Sequence, residues 1–177
     1  MTRVVAEVSI AVAPDVVWHA VHEDLAGAPR WAAYLRSAEG LDGPPGPRSR
    51  VRYNLELAGG IRIELVLQYT TWDRPHLASG RFVGGPLQGT WSYRYVERAG
   101  GTDLRYEMDY ELRGLLRFAG GMLKGQYEDG IRRGMTMLKE HLESQRAAEG
   151  RRARAGRASP PGRAGRGSTR GRTRQQP

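Results

Sequence analysis

From residue 51 to residue 112, apolar side chains recur at almost every second position. Successive side chains of a strand point to opposite faces, so this pattern is typical of strands with one buried and one solvated face. Turn-forming residues interrupt the run at 58–60, 73–75 and 99–101, where the chain has to reverse. The sequence therefore predicts an antiparallel sheet with one apolar face.

The stretch VRYNLELAGGIRIELVLQY begins this region and predicts a hairpin. Both apolar sets must face the same side of the sheet, which places Leu57 opposite Ile61 across the three-residue loop 58–60. A two-residue loop would place Leu57 opposite Arg62 instead. The same register sets Glu56 opposite Arg62 on the polar face, where opposite charges attract each other.

Three further strands are predicted, at 77–83, 88–98 and 102–112. The last two form a second hairpin through the loop Ala-Gly-Gly. Matching charges across it pairs Arg94 with Glu107 and Arg98 with Asp103. Six tyrosines fall on the apolar face of the sheet: Tyr53, Tyr69, Tyr93, Tyr95, Tyr106 and Tyr110. Buried hydroxyls usually need partners, so these six predict an internal polar network, a wet rim or groups that face a cavity.

The N-terminal stretch VVAEVSIAVAPDVVW, residues 4–18, admits two interpretations. An export signal needs an unbroken apolar centre, but Glu7 and Ser9 interrupt this one. The alternation predicts a first strand instead, and Pro14 then begins a helix because proline is tolerated in a first turn. We expect helices at 14–24 and 28–36, followed by a break at 41–47.

One long helix is predicted at 115–146, since apolar residues recur there at spacings of three or four. Its apolar stripe has to lie on something equally long, and the apolar face of the sheet is the candidate. Five glycines in this helix each cost about 1 kcal/mol relative to alanine. Close approach of backbone or ligand explains them, and so does a local kink. They are Gly120, Gly121, Gly125, Gly130 and Gly134.

The formal net charge of +9 belongs to the C-terminal end. Residues 151–177 contain nine arginines and no acidic residue, whereas residues 1–150 are balanced at 19 basic and 19 acidic residues. A segment without aromatic or large aliphatic residues cannot offset the entropy of ordering. We therefore expect a folded domain at 1–146 and a disordered Arg/Gly-rich basic tail at 147–177.

The chain contains no cysteine, which excludes disulfides, thiol nucleophiles and cysteine-based metal sites. No apolar run approaches the length of a membrane span. A cytoplasmic location is the resulting expectation.

Four short motifs occur in order: V-x-I-x-V-A-P-x-x-V-W at 8–18, P-R-W at 29–31, G-G-T at 100–102 and L-K-E-H-L-E at 138–143. With their spacing, they make residues 3–145 resemble the START-like (SRPBCC) superfamily, in particular its polyketide cyclase/dehydrase and coenzyme Q-binding branch. The resemblance implies an α+β helix-grip fold, in which a curved antiparallel sheet wraps around the long C-terminal helix. Members bind lipids, sterols, quinones, polyketides or hormones, and a minority catalyse cyclisation or dehydration.

We therefore expect the chain to bind or carry a small hydrophobic ligand, lipid-, quinone- or polyketide-like, between the sheet and the last helix. No cofactor is expected. The residues expected to line this cavity are the inward-facing ones of the strands and helices: Trp31, Tyr53, Leu55, Ile63, Leu65, Leu67, Trp91, Tyr93, Tyr95, Tyr106, Met108, Tyr110, Phe118 and Met122.

Two alternatives stay open. The first is a cyclase or dehydratase in which a pocket tyrosine and His22 transfer protons. No Ser-His-Asp order, P-loop or G-x-S-x-G motif supports another reaction. The second is nonspecific association of the basic tail with nucleic acid or an anionic membrane surface. His19 and His22 form an H-x-x-H motif, but with no further ligand nearby in sequence we expect no metal site.

Overall fold

A computed structural model describes residues 1–114 and 120–158, except for the side chains of residues 58, 120–124, 126, 127, 157 and 158. Seven strands lie within this part of the chain: β1 (Thr2–Ile10), β2 (Leu35–Gly40), β3 (Arg50–Glu56), β4 (Arg62–Asp73), β5 (Leu77–Gly84), β6 (Leu87–Arg98) and β7 (Gly101–Leu112). They form one antiparallel sheet in the order β1-β7-β6-β5-β4-β3-β2. Strands β2 to β7 thus form a continuous meander, and β1 pairs with the last of them.

Helical segments connect some of the strands and follow the last one. They are α1 (Pro14–Trp18), a π-helical turn (His19–Glu23), a 3-10 turn (Ala28–Arg30), a second 3-10 turn (Ala58–Gly60) and α2 (Gly120–Ala158). The predicted apolar stripe of α2 is confirmed where side chains are described, since Met135, Leu138 and Leu142 are buried in the same core as the strand residues. The architecture is the predicted helix-grip arrangement of a curved antiparallel sheet and a long C-terminal helix.

Polar contacts fix the later part of α2 against the N-terminal strand. The Lys139 Nζ donates to the Ser9 carbonyl at 2.8 Å, and the Ala11 amide donates to the Glu143 carboxylate at 2.8 Å. These bonds satisfy backbone groups at the end of β1, where the ladder with β7 stops. They hold α2 in place along the sheet.

The predicted register of the first hairpin is confirmed. Leu57 opposes Ile61, with its amide donating to the Ile61 carbonyl at 2.8 Å. Glu56 and Arg62 are cross-strand partners, and their charged atoms lie 3.7 Å apart. The loop is the 3-10 turn, in which Gly59 and Gly60 adopt φ of 79° and 74°. Glycine enters this region without the steric cost that a Cβ brings.

The predicted register of the second hairpin is wrong by two residues. Arg94 lies opposite Arg105 rather than Glu107, because the turn contains only Ala99 and Gly100. A shift by an even number of residues leaves every side chain on its predicted face. Arg98 and Asp103 still form an ion pair, at 2.8 Å between Nε and Oδ1, although they are not direct partners.

The predicted helix at 28–36 is wrong. Only the 3-10 turn Ala28–Arg30 forms, and the chain then enters edge strand β2, which pairs with β3. Between them Tyr34 adopts a positive φ of 65°, which is incompatible with a continuous right-handed helix. Pairing with the free edge of β3 overrides the weak helical pattern of this segment.

The long helix differs from its prediction at its C-terminal end. Residues 115–119, where we expected it to begin, lie outside the described residues. The helix continues to Ala158, so residues 147–158 of the predicted disordered tail are helical. Alanine and arginine propagate a helix well, and here they extend one that is already nucleated by packing. Residues 159–177 are outside the described part of the chain.

Candidate functional site

A cavity of about 130 Å³ lies between the sheet, α2 and the connection into β2. Strands β3 to β7 supply its walls, while Ile131 and Met135 of α2 close the opposite side. An apolar cavity of about 150 Å³ in another protein takes up benzene, so this space suits a molecule the size of one ring. It is smaller than the roughly 300 Å³ at which pockets that enclose a drug-sized ligand begin.

Eight of the predicted lining residues do line this cavity: Trp31, Tyr53, Leu55, Leu65, Leu67, Trp91, Tyr93 and Tyr106. Four lie elsewhere. Ile63 packs against the edge of the core, and Tyr95, Met108 and Tyr110 are buried in the core outside the cavity lining. Phe118, and the side chain of Met122, lie outside the described residues.

Sequence reasoning missed several lining residues. Val21 comes from the N-terminal helical segment, Tyr34 from the connection into β2, and Phe82 from β5. His22 also lines the cavity, and the sequence named it only for the cyclase or dehydratase alternative. Phe82 shares the inward face of its strand with Ala78 and Gly80, so the period-2 pattern contains a signal for it. Tyr34 carried no such signal, because its position depends on a backbone conformation that the side-chain pattern does not encode.

His22 is the central polar residue of the site, with 1% of its surface exposed. Its Nδ1 lies 3.0 Å from the hydroxyl of Tyr69, and its Nε2 lies 2.8 Å from the hydroxyl of Tyr95. A neutral imidazole donates from one nitrogen and accepts at the other, so one tyrosine donates to His22 and the other accepts from it. Tyr69 and His22 both line the cavity, and the bond to Tyr95 continues the network into the core outside the cavity lining.

The π-helical turn explains why His22 is buried. Its backbone bond runs from the Asp24 amide to the His19 carbonyl, five residues back, at 2.8 Å. The extra residue per turn rotates the side chains relative to an α-helix, and His22 lies in the interior. His19 points outward, is 61% exposed and contacts Glu23. The two histidines of the H-x-x-H motif thus face different environments.

Aromatic rings surround His22 and determine its charge. The rings of Trp18, Tyr93 and Tyr69 lie with centroids 4.6, 5.2 and 5.7 Å from the imidazole. Burial lowers the pKa of His22 from 6.5 to about 3, because the charged form loses its hydration there. His22 is consequently a neutral hydrogen-bonding group at physiological pH.

The tyrosines of the cluster are also held neutral. Burial raises the pKa of Tyr69 and Tyr95 well above the usual value, and it raises the pKa of Tyr53 to about 12. For Tyr69 and Tyr95 nearby hydroxyls add to these shifts, since a phenolate at one position would repel a charge at the next. None of the described residues that line the cavity carries a charge. The site is an apolar cavity with a corner of neutral hydroxyl groups.

A close approach accounts for one glycine of α2. A Cβ on Gly130 would lie 2.7 Å from two ring carbons of Tyr34. At Gly134 an added Cβ would be 3.7 Å or more from the backbone of residues 31–33, which is ordinary contact. The close-approach interpretation therefore holds at Gly130. At Gly125 nothing lies within 4 Å, so no described neighbour explains that glycine.

Within residues 1–114 and 120–158, no group of three His, Asp or Glu side chains is placed to hold a metal ion. In the same ranges no helix combines the length and the apolar character that crossing a membrane requires.

Comparison with known proteins identifies a family. Residues 1–143 match the family described as polyketide cyclase/dehydrase and lipid transport. No curated protein matches the chain.

Solved structures with the same fold include three from bacteria. TTHA0849 from Thermus thermophilus has a TM-score of 0.69 at 18% identity, covering 81% of this chain and 99% of its own. The ZhuI aromatase/cyclase from Streptomyces sp. R1128 has a TM-score of 0.67 at 18% identity, covering 80% and 93%. A START superfamily protein from Mycobacterium smegmatis has a TM-score of 0.66 at 17% identity, covering 81% and 98%.

Proposed function

Because the chain belongs to the polyketide cyclase/dehydrase and lipid transport family, we propose that it binds a small uncharged hydrophobic molecule in the cavity between the sheet and α2. The observation that carries this proposal is the composition of the cavity wall. Its described side chains are aliphatic or aromatic, apart from neutral histidine, tyrosine and indole groups. Such a wall gains free energy from contact with apolar surface.

The absence of charge from the described lining defines the ligand further. A charged ligand would lose its hydration without meeting an opposite charge, and that loss is costly in an apolar site. The ligand is therefore neutral where it enters the cavity. A volume of about 130 Å³ accommodates one ring or a short branched chain. A larger lipid-, quinone- or polyketide-like molecule places such a part in the cavity.

A matched pair of variants tests whether the cavity is the binding site. Leu55 and Ile63 are cross-strand partners on β3 and β4, both partly buried, but only Leu55 lines the cavity. The Leu55→Trp variant fills the cavity, whereas Ile63→Trp enlarges a side chain outside it. Native mass spectrometry and analysis of organic extracts then detect ligand that co-purifies with each protein.

We expect co-purified ligand on the wild type and on Ile63→Trp, and loss of that ligand on Leu55→Trp. Added toluene provides a second readout, since it binds without help from the expression host. Equal toluene binding by both variants, or none by the wild type, would contradict the proposal.

An enzyme of the cyclase or dehydratase type is the second candidate, and the contact of His22 with Tyr69 favours it. Tyr69 places a hydroxyl on the cavity wall, and His22 and Tyr95 extend the hydrogen-bonded chain behind it. Such a chain moves a proton to or from a bound carbonyl without leaving a lasting charge. Turnover of an aromatic polyketide mimic that is lost in Tyr69→Phe, with binding of the mimic retained, would support catalysis. Unchanged turnover would exclude Tyr69 as the proton donor.

A further inference from the structure

Tyr53 is a polar residue of the cavity wall that the His22 network does not include. It lies on β3, its ring lines the cavity, and it pairs across the sheet with Leu65. Among the described residues its hydroxyl has no hydrogen bond, and burial is the only cause of its raised pKa. A phenylalanine would fill the same place without a hydroxyl to satisfy.

Two neighbouring tyrosines differ from Tyr53 in having hydrogen-bond partners. Tyr69 is bonded to His22, and Tyr95 is bonded to the other nitrogen of the same imidazole. Tyr53 is close enough to Tyr69 to raise its pKa by charge interaction. Of these two adjacent lining residues, Tyr69 has a hydroxyl that is bonded within the protein and Tyr53 has one that is not. Tyr53 is only partly buried, so its hydroxyl is open to a partner that a ligand supplies.

The wall also lacks side chains that accept hydrogen bonds strongly. The described lining residues include no carboxylate, no carboxamide and no aliphatic hydroxyl. Both nitrogens of His22 are already engaged. Besides phenol hydroxyls, the lining includes the indole of Trp31, whose N–H only donates, whereas the N–H of Trp91 is buried away from the cavity surface. A wall that is rich in donors suits a ligand that brings an acceptor.

We propose that the Tyr53 hydroxyl donates a hydrogen bond to an oxygen of the ligand, and that this oxygen is the carbonyl of a small neutral ketone or aldehyde attached to a ring. The inference rests on the proposed function, because it assigns a contact inside the same cavity. Among apolar molecules of equal size, Tyr53 then favours binding of those that carry a hydrogen-bond acceptor. The rest of the cavity binds the ring.

Two ligands of nearly equal shape separate this contact from binding in general. Acetophenone and α-methylstyrene differ only in carrying a carbonyl oxygen or a methylene group at the same place. Dissociation constants for both are measured by titration calorimetry on the wild type, Tyr53→Phe and Tyr69→Phe. For each protein we take the ratio of the two dissociation constants and compare this ratio between the wild type and the variants. The difference in hydrophobicity between the two ligands is the same for every protein, so it cancels in this comparison.

We expect the preference for acetophenone to fall by about fivefold to tenfold in Tyr53→Phe, which is the usual effect of losing one hydrogen bond. The affinity for α-methylstyrene should remain within about twofold of that of the wild type. An unchanged ratio in Tyr53→Phe would overturn the inference, and so would a ratio that falls only in Tyr69→Phe. If neither ligand binds the wild type, the proposed function itself fails.

A measurement on the wild type alone guards against a variant that does not fold. The infrared carbonyl stretch of bound acetophenone shifts to lower frequency when a hydroxyl donates to it. We expect the bound band to lie below the band in hexane. A band at the hexane position would show a carbonyl without a donor and would overturn the inference independently of any substitution.

Discussion

The ring of Tyr34 lies against the backbone of Gly130, so that a Cβ at this glycine would be 2.7 Å from two of its ring carbons. Tyr34 lines the cavity and adopts a positive φ of 65°. The contact joins the connection before β2 to the middle of α2. It places a strained residue at the boundary of the site, where a change on α2 alters the cavity wall.

Alanine substitutions along α2 measure this contact. The added methyl of Gly125→Ala meets no described atom within 4 Å and should stabilise the protein by about 1 kcal/mol through helix propensity. Gly134→Ala meets atoms only at 3.7 Å or more and should also stabilise. Gly130→Ala forces Tyr34 to move, so its free energy of unfolding should be lower than that of Gly125→Ala. Denaturant unfolding of the three variants gives the comparison.

The double variant Gly130→Ala with Tyr34→Ala provides the control for this prediction. Removing the ring should restore the gain in helix propensity, so adding Gly130→Ala to Tyr34→Ala should stabilise. If Gly130→Ala is as stabilising as Gly125→Ala in the presence of Tyr34, the ring does not press on the helix.

Acid should destabilise the protein through His22. The pKa of its imidazole is about 3 in the folded chain and 6.5 as the reference value. Below pH 6.5 His22 is protonated in the unfolded chain but stays neutral in the folded chain. The free energy of unfolding therefore falls as the pH decreases from 6.5 towards 3. Between pH 7 and pH 5 the loss due to this group amounts to about 2 kcal/mol.

The variant His22→Asn isolates this contribution from that of the other histidines. Its free energy of unfolding should be lower at pH 7 but should depend less on pH between about 7 and 5. Urea unfolding at a series of pH values provides the data. If the free energy of unfolding depends on pH in the same way for both proteins, His22 is protonated as readily in the folded chain as in the unfolded chain.

Two tyrosine variants should differ in stability although both lose one hydroxyl. Tyr95→Phe leaves the Nε2 of buried His22 without its partner at 2.8 Å, which should cost about 1 to 3 kcal/mol. Tyr53→Phe removes a hydroxyl that bonds to no described residue, so its effect without ligand should stay within about 0.5 kcal/mol. Thermal or urea unfolding compares them. A loss of equal size in both would show that Tyr53 also supports the fold through its hydroxyl.

Removing the basic C-terminal extension should separate two properties of the chain. Residues 150–156 of α2 are exposed and include Arg151, Arg152 and Arg154. A chain that ends at Glu149 should keep its stability and its affinity for toluene. It should lose retention on heparin at low salt, because that retention depends on arginine charge. Equal retention of the full and shortened chains would show that the extension does not bind polyanions.

Much of the sheet could be predicted from the sequence. The alternation of apolar and polar residues determines which face of the sheet each side chain occupies, and this does not depend on the exact strand pairing. Trp91, Tyr95 and Tyr106 face inward as predicted, even though the β6–β7 register is shifted by two residues. The position of the turn decides that register, since turns at Ala99-Gly100 and at Gly100-Gly101 leave the faces unchanged but differ by two residues in pairing. In the first hairpin the face pattern excludes a two-residue loop, which would place Leu57 opposite Arg62 and mix the two faces.

The polar corner of the site was less accessible to prediction. The burial of His22 depends on a π-helical turn, and the α-helical period places the same residue at the border of the helix. Strand β2 was missed because its partner edge on β3 exists only in the folded sheet. In both cases tertiary contacts select a backbone conformation that the local pattern does not favour.

The central claim is that a small uncharged molecule occupies the cavity, and nuclear Overhauser contacts with bound toluene test it most directly. The protein carries ¹³C-labelled Leu, Ile and Met methyl groups. Leu65, Leu67 and Met135 line the cavity, whereas Leu104 and Met108 are buried outside its lining. The account predicts saturable binding, with contacts from toluene to the methyls of the first three residues and none to the other two. Absence of saturable binding, or contacts confined to exposed methyls such as that of Met137, would contradict it.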